Sequence, residues 1–377
     1  MIGAAGLLIG PGERGGWGYG VSALMRGGTG DRPNGRQATI ADVAHAAKVS
    51  TAVVSRVLNA DPALRVRDET RARVLAVVEE LDYTPSAVAR ALRRSVAGAL
   101  CLTVHDLSNP LHAEIMRGAQ QRASEAGYVV LLGDAEELAC NPSGYRNLLD
   151  PRRVDGLVLH PCGADQETEL RRLAQGRLPT VISNARLRGV VGSVSLDDRA
   201  LVRVALAELI RQGHRGIGLL NGVRAAQHAR RRERALRIGL EAAGCAYRPE
   251  WFLEAGGWDE GAGYEAMAHL LELGSRPTAV VVSNVILAIG ALAAARDRSV
   301  DVPGELSLIA IHDTWFANHT SPPLTTVASP LSALGAASVD VLLELLGGTP
   351  ARHIVLRSPA PRLVQRSSCA PPRTSRV

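Results

Sequence analysis

The sequence predicts a small N-terminal all-α domain of helix-turn-helix type, followed by a long α/β domain built on parallel sheets. Three observations carry this. Thr39–Asn59 holds two short amphipathic helical stretches separated by a tight break. Beyond Ala97-Gly98, apolar runs alternate with amphipathic helical stretches. Between the two parts stands an eight-residue, Ala-rich segment led by proline, Pro85–Leu92.

At 377 residues the chain suits two or three domains. Apolar residues make up 46% and aromatics only 3%, so Leu, Val and Ala must fill the cores. Lys plus Arg exceed Asp plus Glu by 43 to 37, a net charge of +6. That balance permits a polyanionic partner without requiring one. The cysteines Cys101, Cys140, Cys162, Cys245 and Cys369 are scattered and odd in number, with no C-x-x-C pair. Neither a disulfide framework nor a zinc site follows, and a reducing cytoplasm is the default location. No apolar run approaches the roughly eighteen residues of a membrane span. The first ten residues lack the basic region of a secretory signal.

Residues 1–37 are Gly-rich with few large apolar groups, the composition of a disordered leader, and 370–377 read as a tail. The leader spells G-x-G-x-x-G at Gly10, Gly12 and Gly15. A dinucleotide site needs a buried strand before those glycines and a helix after them. Here Gly16-Trp17-Gly18-Tyr19-Gly20 follows, so no cofactor is expected. Met25 is an alternative start.

Thr39 is a good N-cap, and Ile40, Val43, Ala44 and Ala47 then recur on one helical face. Lys48-Val49-Ser50 breaks this helix, and Ser50 caps a second one through Leu58, with Val54, Val57 and Leu58 turned inward. Thr51, Ala52, Ser55 and Arg56 are then expected on the outer face near its N-terminus. A third helix, from about Asp68 to Leu81, is expected to bury Val74, Leu75, Val78 and Leu81. Small polar groups and an arginine on the second of two short helices fit the major groove, where Arg can bond guanine O6 and N7 together. A plain three-helix bundle is the alternative from periodicity alone.

Pro85 suits a first helical turn, but eight residues are too few for a stable isolated helix. Pro85–Leu92 is therefore either a conditional helix that folds only when held or an ordinary linker.

In the α/β part the expected strands are Ala99–Val104, Val129–Leu132, Gly156–Leu159, Thr180–Ile182, Gly216–Leu220, Ala279–Ser283 and Ser307–Ile311. Helices are expected near Leu111–Ala126, Arg199–Gln212, Arg230–Ala243, Ala262–Leu273 and Val285–Arg296. Such alternation implies parallel sheets covered on both faces, with ligands at the carboxyl ends of the strands.

Thr39-Ile40-Ala41-Asp42-Val43-Ala44, Val49-Ser50, Val54-Ser55-Arg56-Val57-Leu58-Asn59 and the later Tyr83-Thr84-Pro85 resemble the opening of the LacI/GalR family of bacterial transcription regulators. The resemblance runs to about Ser368. It implies that Thr51, Ala52 and Arg56 face base edges, with Ser50, Ser55 and Asn59 nearer the phosphates. It makes Pro85–Leu92 a hinge helix formed in pairs on DNA, with Leu92 wedged into the minor groove and Arg90, Arg93 and Arg94 beside phosphates. Two residues depart from the pattern. Lys48 stands where the family usually has glycine in the turn, which demands a left-handed backbone of a side-chain-bearing residue. Val53 replaces a usual threonine.

The same resemblance implies a periplasmic-binding-protein-like effector domain of two lobes with a small molecule clamped between them. Its landmarks are Asp106-Leu107-Ser108-Asn109-Pro110, Val154-Asp155-Gly156, Gly213-His214-Arg215, Pro277-Thr278-Ala279 and Pro322-Pro323-Leu324-Thr325-Thr326-Val327. The expected division is 38–84 for DNA binding and 85–98 for hinge and linker. Lobe one takes 99–198 with 331–356, and lobe two takes 199–330 with 357–369. The implied effector contacts are Leu111, His112, Ser183, Asp197, Arg232, Trp258, Asn284 and His312. On the residues alone, the alternative is that Trp258 is a core aromatic and Arg232 a solvated charge within Arg230–Arg234. Ser183-Asn184, Val285 and His312 stand where relatives often carry carboxylates that accept from sugar hydroxyls. That weakens a plain sugar and favours a sugar derivative or an acidic metabolite.

His105, His112, His160 and His312 share no metal-binding spacing, so no metal is expected. No nucleophile elbow or phosphate loop marks an enzyme. The expected protein is a homodimeric regulator, most simply a repressor, that binds a double-stranded DNA operator and a small-molecule effector. A ligand-binding module without specific DNA binding is the alternative.

Overall fold

The computed structural model describes residues 38–59, 61, 63–83, 96–134, 147–161, 178–186 and 191–373. The leader, the segment 84–95 with Leu92 and Arg93, and the last four residues lie outside them. The chain divides at Pro85–Ser86 into two compact units.

The first unit holds α1 (Ile40–Ala46), α2 (Thr51–Leu58) and α3 (Asp68–Glu80). Thr39 opens α1 with a capping box: its hydroxyl accepts from the Asp42 amide, and the Asp42 carboxylate accepts from the Thr39 amide at 2.7 Å. The helix closes where Lys48 adopts φ +54°. Lys48 N–H donates to the His45 carbonyl at 3.2 Å and Val49 N–H to that of Ala44 at 3.0 Å. This is the paired closure that usually recruits glycine, and Lys48 occupies the left-handed position. Ser50 then caps α2 by accepting from Val53 N–H at 3.3 Å. Val43, Val54 and Val74 meet in the core at zero exposure. Arg73 on α3 donates to the Ala47 carbonyl at 3.0 Å and ties α3 to the end of α1. One expectation is corrected. Leu75 is 48% exposed and Val77 takes its place in the core. The stripe runs Val74, Val77, Val78, Leu81, and Leu75, a further 100° round from Val74, swings outward.

The second unit contains two six-stranded sheets. The first has the order β11-β5-β4-β3-β1-β2, with β1 (Ala99–Val104), β2 (Val129–Asp134), β3 (Gly156–Leu159), β4 (Thr180–Ser183), β5 (Gly192–Leu196) and β11 (His353–Leu356), all parallel. The second has the order β12-β10-β9-β8-β6-β7, with β6 (Ile217–Asn221), β7 (Phe252–Glu254), β8 (Ala279–Val282), β9 (Ser307–Ile311) and β10 (Thr325–Ala328). Among the described strands only β12 (Arg362–Val364) runs antiparallel. The strands are mostly buried on both faces, which is why they read as continuous Val/Leu/Ile runs.

Helices α4 (Pro110–Glu125), α5 (Asp198–Arg211), α6 (Gln227–Ala242), α7 (Glu260–Glu272), α8 (Val285–Asp297) and α9 (Leu331–Leu346) cover the sheets. The chain passes between the sheets three times: after β5 at Asp197, after β10 at Ser329-Pro330, and between β11 and β12. α9 brings the chain back onto the first sheet alongside α4. A Cβ on Gly118 would run into the Ser332 carbonyl and one on Gly335 into that of Ile115, so the two helix backbones touch. Cys101, Cys245 and Cys369 are buried free thiols. No helix among the described residues is long and apolar enough to cross a membrane.

Candidate functional site

In the first unit, α2 presents Thr51, Ala52 and Arg56 to solvent, with Ser50 and Asn59 exposed at its two ends. Ser55 departs from expectation. It is 9% exposed, because it lies about 100° round from the fully buried Val54, on the flank of α2. Its carbonyl accepts from Asn59 Nδ2 at 2.6 Å. Arg56 Nε donates to Asp61 Oδ2 at 2.7 Å, which holds the guanidinium on its own chain.

In the second unit, a cavity of about 50 Å³ opens between the sheets at the carboxyl ends of their strands. From the side of the first sheet come Leu111, His112, His160 and Asn184; from the second come His228, Arg232, Trp258, Asn284 and His312. Three residues there have positive φ without being glycine: Asp106 (+57°) after β1, Asn184 (+61°) after β4 and His312 (+70°) after β9. Each such conformation costs roughly 1–2 kcal/mol, and such strain gathers where side chains must be aimed. Gly222 makes room for Trp258, since any Cβ there would meet the indole.

Arg232 is the centre of the polar network at 1% exposure. Its Nε donates to Asp198 Oδ1 at 2.8 Å, one terminal nitrogen donates to the Ser283 carbonyl, and the other lies 3.0 Å from His312 Nε2. A guanidinium only donates, so His312 Nε2 accepts and its proton sits on Nδ1, which donates to Ser329 Oγ. Asp198 also accepts from Arg231 Nε at 2.7 Å. The network therefore runs Asp198–Arg232–His312–Ser329, from the first crossover to the second.

Four imidazoles surround this arginine, and burial lowers the pKa of each. His160 is pulled down to about 3 by burial, helped by His112. His228 and His312 lie well below the ordinary value through burial and the Arg232 charge. His112 is lowered by burial and partly restored by its bond to the Asp106 carbonyl. That bond, 2.9 Å from His112 Nδ1, places the proton on Nδ1 and leaves Nε2 as an acceptor. His160 Nδ1 lies 3.2 Å from Ser183 Oγ, and its ring meets that of His112 edge-on at 5.3 Å. His228 lies against Trp258 at 4.7 Å. Two buried atoms in the lining have no partner: Asn184 Oδ1 and Trp258 Nε1.

Of the residues singled out from sequence, Leu111, His112, Arg232, Trp258, Asn284 and His312 thus share one cavity. Arg232 is not a solvated charge, and Trp258 faces the cavity. Ser183 lies behind His160, fully buried. Asp197 does not line the cavity; its carboxylate caps α5 by accepting from Ala200 N–H at 3.0 Å, while the neighbouring Asp198 turns inward. His160, His228 and Asp198 were missed, and Asn184 was noted only for departing from the family's usual residue at that place. The signal for His160 and Asn184 was their place just after strands β3 and β4. Leu92 and Arg93 lie outside the described residues. Among the described residues no group of three or more His, Cys, Asp or Glu side chains could hold a metal.

Comparison with known proteins places this geometry. Residues 39–86 match the model for bacterial regulatory proteins of the lacI family, and residues 206–369 match a periplasmic binding protein-like domain. The ribose operon repressor of Haemophilus influenzae is 34% identical over 312 residues, covering 81% of this chain and 91% of that protein. The chain belongs to the LacI family. A second LacI-family relative, the transcriptional repressor PurR of Edwardsiella ictaluri, is 33% identical over 338 residues, covering 88% of this chain and 97% of that one. Among solved structures, a LacI-family regulator from Mycobacterium smegmatis superposes with a TM-score of 0.67 at 34% identity, over 72% of this chain and 99% of that one. The lac repressor dimer bound to operator and an anti-inducer superposes with a TM-score of 0.73 at 27% identity, over 89% and 100%. This LacI-family protein is accordingly a transcriptional regulator with an N-terminal DNA-binding domain.

Proposed function

We propose that the chain works in the cytoplasm as a homodimeric repressor without catalytic activity. It reads a pseudo-palindromic operator through Thr51, Ala52 and Arg56 of each α2 and releases or grips it according to what fills the cavity. Ser50 and Asn59 serve the phosphates beside them. Leu111, His112, Arg232, Trp258, Asn284 and His312 contact the effector.

The observation that carries this reading is the chain Asp198–Arg232–His312–Ser329. It lines the cavity in its middle and ends at two of the three passages between the sheets. A cavity of about 50 Å³ has room for one or two waters. A metabolite must therefore displace the Arg232 and His312 side chains or part the lobes, and either change reaches the joints. A ligand shifts such an equilibrium only by its difference in affinity for the two arrangements.

The test is selection of bound fragments from a genomic library by the purified full chain without added ligand. A recovered pseudo-palindrome, with weaker binding by Arg56→Ala, is the expected result. Weak, sequence-blind and salt-sensitive binding alone, unchanged by any small molecule, would overturn the reading.

A further inference from the structure

The cavity has no carboxylate of its own to meet its arginine. The buried Arg232 must share Asp198, behind the lining, with Arg231, whose side chain is 35% exposed and partly met by water. Of the five N–H groups of the Arg232 guanidinium, three are engaged, by Asp198, Ser283 and His312, and two remain. No carboxylate lines the cavity among the described residues. The first turns of four helices supply lining residues: His112 of α4, His228 of α6, Leu331 of α9, and Asn284, the cap of α8. The dipoles of these helices add partial positive charge at that end. Trp258 Nε1 is a buried donor without an acceptor. A hydroxyl-rich neutral ligand brings donors and acceptors alike and could meet Asn184 Oδ1, but it brings no charge. An anion brings acceptors for the Arg232 and Trp258 donors together with a second negative charge beside the two arginines that share Asp198.

His112 adds a second element. Its Nε2 is an acceptor with its lone pair uncommitted, because Nδ1 carries the proton to the Asp106 carbonyl. The groups facing this ring are His105 and Asp106 from the loop after β1, Asp134 at the end of β2 and His160 after β3. Across the cavity stand His228 and Arg232 of α6 and His312 after β9. The two carboxylates, Asp106 and Asp134, favour a protonated His112, and burial opposes it. An anion beside Nε2 would tip that balance, because it replaces lost hydration with an opposite charge.

We propose that the effector of this cavity is a small carboxylate, held by the free N–H groups of Arg232 and by Trp258 Nε1, and that it binds with uptake of one proton at His112 Nε2. The proposal rests on the effector-cavity reading above and names its ligand class. The proton comes from solvent, and no covalent bond changes. Because the complex holds one proton more than the free protein, affinity rises as pH falls through the window between the free and bound pKa of His112, by up to about tenfold per pH unit.

The experiment is calorimetric titration of the full chain with three carboxylates, acetate, benzoate and gluconate, and with their uncharged counterparts acetamide, benzamide and glucitol. Each titration is run at one pH in Tris and in bis-Tris, whose different ionisation heats reveal the protons taken up. The expected result is saturable binding of at least one acid, at least about tenfold tighter than its counterpart, with close to one proton taken up. His112→Gln should retain weaker acid binding with no proton uptake, and Arg232→Gln should lose the preference for acid over amide. If the uncharged member of a pair binds as well as the acid, if acids bind without proton uptake, or if none of the three acids saturates, the proposal is overturned. Operator binding measured alongside separates the two readings. A neutral compound that fills the cavity and alters operator affinity keeps the effector cavity and removes only its charge assignment. Ligands that bind and leave operator affinity unchanged strike at the regulator mechanism itself.

Discussion

Arg232 and Asp198 meet at 2.8 Å with both side chains 1% exposed, so neither charge has water to fall back on. Removing one partner of such a pair leaves the other uncompensated, a loss of about 3–5 kcal/mol. Asp198→Asn should therefore lower urea-denaturation stability of the second unit by that amount. A double variant, Asp198→Asn with Arg232→Met, should recover most of it. Equal instability of the single and double variants would show that the pair is not where the energy lies.

Lys48 holds φ +54° at the close of α1, a conformation that costs a side-chain-bearing residue roughly 1–2 kcal/mol. Lys48→Gly should relieve it and stabilise the DNA-binding unit by about 1 kcal/mol, read as slower proteolysis within residues 38–83. Faster proteolysis would mean that the lysine side chain makes a contact worth more than the strain.

The ion pair of Arg56 with Asp61 holds on its own chain the guanidinium proposed to read a base. Arg56→Ala should weaken operator binding about 10- to 100-fold, the range for losing one bidentate contact to guanine. Asp61→Asn should tighten it, because the guanidinium no longer has a competing carboxylate. Fluorescence anisotropy with a labelled operator measures both, and opposite signs are the expected signature.

Acid should loosen the effector domain. His112, His160, His228 and His312 all have folded-state pKa values below the ordinary 6.5. Below that pH the unfolded chain takes protons that the folded chain refuses, so stability is complete above about pH 6.5 and falls as pH drops towards the folded values, to about 3 for His160. One fully refused proton is worth about 1.4 kcal/mol per pH unit. The midpoint of urea unfolding should fall between pH 7.5 and 5.5, and His160→Gln should flatten the slope. A pH-independent midpoint would contradict the buried neutral imidazoles.

Legibility followed the physics of burial. β1, β3 and β9 were delimited from sequence because Val/Leu/Ile runs end at Gly, His or Asp, where the strand leaves the sheet. β5 escaped notice because Gly192-Ser193-Val194-Ser195-Leu196 carries small polar residues at two of its five positions, one of them, Ser193, fully buried, so no continuous apolar run marks it. β7 and β12 are three residues each, too short for any period to show. α9 is apolar nearly all round because it is packed against both α4 and the first sheet, so its helical stripe is blurred. In the site, side chains that follow strands could be placed, whereas Asp197 and Asp198 could not be told apart. One residue of helical phase decides which of them caps α5 and which turns in to meet Arg232. His228, on the first turn of a helix whose start was placed three residues late, carried no other mark.

The four-residue chain from Asp198 to Ser329 is short and has no slack. Its two end contacts stand at separate passages of the backbone, and a single guanidinium holds the middle. Loosening the middle frees both passages together, and tightening it locks both. Each subunit should then answer its ligand as a latch does, in one step, with no half-open lobe angle for the ligand to hold. Graded control over a population of promoters would come from how many subunits are latched.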